Sequence, residues 1–232
     1  SMRHGSVRPS ARLLGLVFLP AAAVLVAATL VAVIGGVDVG SIVRDPASVL
    51  DGHPLVGALS QLGVIIWWVT ASVCLFSFLV ALKSGAPRAT LVFLLTSGLL
   101  TAWLAVDDQF LIHDDLASRY LGLRERHVMA VLLVLAAGWF LANLRVIRRT
   151  EWGLLAVSLG LLAASIATDL AVQTFADDLS TIGSGLDWSL LLEDGLKFMG
   201  IVGWSAYLVR FSYFTLTDQP VRPGTDGYVG TT

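Results

Sequence analysis

The chain has 232 residues, 56% of them hydrophobic and 14% charged, with a formal net charge of −2 and a mean hydropathy of +0.80. A soluble globular domain carries roughly a quarter of its residues as charges. The deficit excludes a soluble enzyme, a disordered chain and a nucleic-acid binder, leaving an all-α, polytopic membrane protein.

Six apolar runs are long enough to cross a bilayer, at about 13–35, 57–82, 89–108, 127–146, 152–173 and 187–210. The first follows Arg3, Arg8 and Arg12. It exceeds a usual signal-peptide core and lacks a clear small-x-small cleavage site, so it is expected to be a transmembrane helix. The connections 83–88 and 145–150 are short and basic, which forces tight antiparallel hairpins; the other connections are longer and acidic. The six-span domain is expected to occupy 1–212, and the polar, Pro- and Gly-punctuated segment 213–232 to be a disordered cytoplasmic tail.

Basic residues flanking spans are retained on the cytoplasmic side. The N-terminus, the 83–88 and 145–151 connections and the tail hold ten basic residues against three acidic ones, a formal +7. The other side carries five basic and fourteen acidic residues, a formal −9. The expected orientation in the cell membrane therefore places both termini in the cytoplasm. Trp152 and Trp188 fall at opposite expected interfaces, where indole rings are favoured. The lone cysteine, Cys74, lies inside an apolar run, so its expected role is packing.

Measured from the basic end of each span at about 1.5 Å per residue, Asp107 and Asp108 sit about 29–30 Å up the third span and His127 about 27 Å up the fourth. Asp169 sits about 27 Å up the fifth, and Glu193 and Lys197 about 26 and 20 Å up the sixth. The rival reading of this layer is that such residues mark helix ends, where water begins. That explains Asp169 and Glu193 less well, because both are embedded in apolar sequence and a charge there costs a few kcal/mol unless paired. Lys197 follows Glu193 by four residues, the order that favours an intrahelical ion pair. Gly195, Gly200 and Gly203 are positioned to admit a neighbouring helix.

The densest constellation is Asp107-Asp-Gln-Phe-Leu-Ile-His113-Asp-Asp115. If the helix continued through it, the two Asp-Asp pairs would align two turns apart. Carboxylates suit Ca²⁺ or Mg²⁺, and added imidazoles shift preference towards Zn²⁺ or Mn²⁺. The expected metal ligands are Asp107, Asp108, His113, His127, Asp169 and Glu193, with Asp108, Asp169, Glu193 and Lys197 as catalytic candidates. The chain lacks His-Glu-x-x-His and His-x-x-x-His.

Below the layer, Thr101, Ser97 and Thr90 share one face of the third span, Ser165 and Ser158 one face of the fifth, and Thr70 and Ser77 one face of the second. They suggest either a polar track leading inward or ordinary helix packing. Trp67, Trp68 and Trp103 lie just under the layer, placed to floor a pocket. Three functions follow as expectations. The first is a metal-dependent hydrolase or transferase acting on membrane lipid. The second is a proton- or cation-coupled transporter or channel using the same carboxylates, and the third is a non-catalytic membrane subunit.

Overall fold

The computed structural model describes residues 58–112, 125–150, 152–179 and 185–217, with the single positions 53, 55, 57, 116, 120 and 122 and parts of 18–36; at 125, 126, 172–179 and 185–190 it describes backbone alone. The chain divides into two compact units, Ser1–Val56 and Gly57–Thr232. In the first unit the described positions between 18 and 35 are helical, and Phe18, Leu19, Leu25, Val26, Leu30, Val33 and Ile34 are exposed.

In the second unit five long helices follow in chain order: α1 (Ala58–Ser84), α2 (Arg88–Phe110), α3 (Glu125–Ile147), α4 (Trp152–Leu179) and α5 (Gly185–Thr217). Among the described residues there is no strand. Four helical stretches are long and apolar enough to cross a membrane: Ala58–Ser84, Arg88–Phe110, His127–Ile147 and Trp152–Ala171. The helix over the expected sixth span is longer than any of these, at 33 residues, yet is not among them. Its sequence includes Glu193, Asp194, Lys197 and Arg210, and its buried face mixes Trp204, Tyr207 and Ser212 with Ile201 and Leu208. The same helix runs through Thr217, past the expected start of the tail at 213.

The α1–α2 connection shows how the sequence makes a hairpin. Gly85 takes the left-handed conformation, φ 73°, at the end of α1. Its N–H bonds to Leu82 O at 3.3 Å, and Ala86 N–H bonds to Ala81 O at 3.0 Å. This paired arrangement satisfies the last carbonyls of the helix, and Pro87 then bars its continuation and caps α2.

Register follows from paired side chains. Along α2 and α5, Asp108 meets Lys197, Thr101 meets Trp204 and Phe93 meets Phe211, so the two helices are antiparallel. Along α1 and α5, Trp67 meets Trp204 and Thr70 meets Ser205, which makes them parallel. Helix α5 is the hub: it packs on α4 and α1, bonds to α2 and stacks Trp204 on Trp139 of α3.

Small residues permit the approach. A Cβ on Gly203 would collide with the Ser158 hydroxyl, and one on Gly200 would stand 2.7 Å from Leu162 Cγ and 3.1 Å from its backbone nitrogen. Gly98 is filled in the same way by Leu75. Gly195, by contrast, has nothing within 4 Å of that position, so it does not serve the close approach expected of it. Between lipid-bathed helices burial of apolar area supplies little drive, so such contacts and interhelical hydrogen bonds specify the packing. The core is correspondingly aromatic: Trp139 stacks on Trp204 at 4.8 Å between centroids, and Phe93 on Phe211 at 4.4 Å.

Candidate functional site

The end of α2 carries two adjacent carboxylates in an apolar helix, Asp107 and Asp108. Asp107 is 3% exposed and engages in a polar interaction. Asp108 is 11% exposed at its side chain, and each of its oxygens meets a donor from a different helix. Oδ1 lies 2.8 Å from Lys197 Nζ of α5, and Oδ2 accepts the indole N–H of Trp67 of α1 at 2.9 Å. One carboxylate therefore ties three helices together. The ammonium neutralises it and the indole satisfies its second acceptor, which is what makes a charge tolerable at this depth.

Helix α2 ends at Phe110. Leu111 adopts a left-handed conformation, φ 49°, and its N–H bonds to Asp107 O. A bulky non-glycine residue in this region costs about 1–2 kcal/mol. The expected alignment of Asp107 with Asp114 and of Asp108 with Asp115 falls on residues outside the described ones. His113 lies outside them too.

Within the expected layer, Asp108 of α2 and Lys197 of α5 are in direct contact. Lys197 also takes part in a further polar interaction. Asp169 on α4 and Glu193 on α5 are half-buried, and each takes part in a polar interaction. His127 is exposed on the first turns of α3. Among the described residues, no group of three or more His, Cys, Asp or Glu side chains is placed to hold a metal ion. Asp108 in particular has both oxygens engaged.

The hydroxyl track below is occupied by indoles. Trp204 of α5 donates to Thr101 Oγ1 at 3.0 Å, and Trp139 of α3 donates to Ser97 Oγ at 3.1 Å. Asn143 of α3 donates to Thr96 Oγ1 at 3.2 Å and to Trp139 O at 2.9 Å. Thr101 and Ser97 are fully buried under these rings. Thr70 of α1 pairs with the Ser205 hydroxyl at 2.6 Å, and Ser158 of α4 bonds back to Leu154 O at 2.7 Å beneath Gly203. The polar faces are thus used for helix packing. Of the three tryptophans expected to floor a pocket, Trp67 is buried, whereas Trp68 and Trp103 are 40% and 46% exposed and face outward.

Two kinds of partner are not legible from spacing: Trp67 as a donor to Asp108, and the indoles of Trp204 and Trp139 as donors to Thr101 and Ser97. The signal for them is composition: Ser97 and Thr101 stand four residues apart on α2, while Trp139 and Trp204 lie in other apolar spans. A buried indole N–H seeks such an acceptor.

Residues 17–211 match the family model DUF8692, a domain of unknown function. The chain belongs to this family. The matched stretch takes in most of the first apolar run and nearly all of the helical bundle up to Phe211 of α5, so it includes parts of both compact units. No curated protein matches the chain, and no solved structure matches it.

Proposed function

We propose that this protein is a six-span integral membrane protein with both termini in the cytoplasm, acting as a proton- or cation-coupled transporter whose outer station is the Asp108–Lys197 pair. The observation that carries this reading is the interhelical ion pair at 2.8 Å, held by a carboxylate that is 11% exposed and also fixed by Trp67. Ionisable residues inside a membrane bundle mark ion pathways by default. A proton or small cation arriving at Asp108 competes with Lys197 for the carboxylate. Once Asp108 is neutralised by that ligand, the ammonium is released and the α2–α5 contact at this end loosens. The Trp204–Thr101 and Trp139–Ser97 bonds below form the inner seal that must open for passage, so the described arrangement is the closed one.

A metal-dependent lipid hydrolase or transferase draws less support from this geometry, because Asp108 uses both oxygens on Lys197 and Trp67 and His127 is exposed. The test is reconstitution in liposomes under a proton, sodium or potassium gradient. Flux above that of protein-free vesicles, lost in Asp108→Asn, supports the proposal. No flux of any of the three ions in the wild type overturns it. Stoichiometric zinc, manganese, magnesium or calcium in the purified protein would favour the hydrolase instead.

A further inference from the structure

The opposite end of the bundle carries a second concentration of charge. Lys83 closes α1 and Arg88 opens α2 across the Gly85 turn, and both are exposed. Arg145, Arg148 and Arg149 mark the end of α3, and Trp152, which is 59% exposed, follows at the start of α4. Arg148 and Arg149 are exposed. The two turns lie within about 4 Å of one height. Thr96 of α2 meets Asn143 of α3, and from that contact Arg88 is eight residues down one helix, or about 12 Å, while Arg148 is five residues down the other, or about 8 Å.

The α3–α4 turn is also held in place. Arg148, Arg149 and Thr150 donate their N–H groups to Leu144, Val146 and Ile147 carbonyls at 3.0 Å each. The Thr150 hydroxyl bonds to Ile147 O and meets the Tyr207 hydroxyl of α5 at 2.9 Å. The last carbonyls of α3 are therefore occupied internally, and the outward polarity of the turn is that of its guanidinium groups. Glu151 is the one acidic residue in this stretch of sequence and lies outside the described residues.

We infer that this end is a binding surface for anionic phospholipid headgroups, with Arg148 and Arg149 as the principal phosphate contacts and Trp152 as the interfacial anchor. Guanidinium forks match phosphate oxygens bidentately. An exposed indole beside them is the side chain favoured at the level of the headgroups. The cations stand where apolar helices end, which is where a lipid presents its phosphate. The inference rests on the membrane-spanning reading but not on transport.

The test uses the full chain in bilayers of phosphatidylcholine into which brominated phosphatidylglycerol or brominated phosphatidylcholine is titrated, reading tryptophan quenching. Wild type should prefer phosphatidylglycerol. Each cation near the surface contributes about 1 kcal/mol, so Arg148→Gln with Arg149→Gln should weaken that preference by up to about 30-fold, towards parity. Asp108→Asn, at the other end, should leave it intact even where it abolishes ion flux. The lysine exchanges R148K and R149K should restore part of the effect, and K83Q with R88Q serves as the independent variant if the arginine pair fails to fold. Absence of a preference in the wild type overturns the inference, as does a preference indifferent to all of these substitutions. Erasure of the preference by millimolar inorganic phosphate at constant ionic strength assigns the site to soluble phosphate and also overturns it.

Discussion

Replacing Lys197 by Met removes the ammonium from Asp108 while keeping much of the side-chain volume. It leaves a carboxylate, 11% exposed, with Trp67 N–H as its explicit remaining donor. Truncating one partner of a fully buried ion pair costs about 3–5 kcal/mol. Lys197 is 37% exposed, so solvent screens part of the interaction and the expected loss falls to about 1–3 kcal/mol. Asp108→Asn retains an oxygen for the indole but forfeits the ionic attraction, at about 1–2 kcal/mol. The double variant removes both members of the pair, so its loss should be smaller than the sum of the single losses by about 1–2 kcal/mol. Reversible unfolding in mixed detergent, followed by circular dichroism for the four proteins of the cycle, measures the coupling. A coupling below about 0.5 kcal/mol, within ordinary additivity error, would refute the argument that this pair ties α2 to α5.

Alanine at Gly203 should destabilise the bundle by about 1–3 kcal/mol, since its methyl group meets Ser158 on a packed helix, whereas alanine at Gly195 should be neutral or stabilise by up to about 1 kcal/mol. The same unfolding assay compares the two, and equal effects would contradict the close approach of α4 and α5 at Gly203. Thr101→Val removes the acceptor of the Trp204 indole and should cost about 1–2 kcal/mol, with a shift in tryptophan emission as the spectroscopic check. Leu111→Gly relieves a left-handed backbone at φ 49° and should change stability by less than about 1 kcal/mol, because glycine's greater unfolded-state entropy offsets the relief. A large loss there would mean that the Leu111 side chain packs in a way its 50% exposure does not indicate.

The amino-acid sequence by itself determined that the chain is helical and apolar enough for membrane spans, and roughly where α1 to α5 begin and end. Those features follow from local quantities: run length, glycine and proline at the 83–88 turn, and flanking charge. Because rise per residue is fixed in a helix, it also led to the expectation of a layer of Asp107, Asp108, His127, Asp169, Glu193 and Lys197 near one height, within which Asp108 and Lys197 meet. It left open which of them touch, since azimuth and neighbour order are set by packing between helices that are distant in sequence. Only the tertiary structure decided that α5 is the hub, that Lys197 reaches Asp108 across 89 positions of sequence, and that Trp67 supplies the second donor. It likewise decided that Ser97 and Thr101 receive indoles instead of lining an open track. The physical reason is the same in each case: a buried donor takes the acceptor that the neighbouring helix presents, and a single sequence does not say which helix that is.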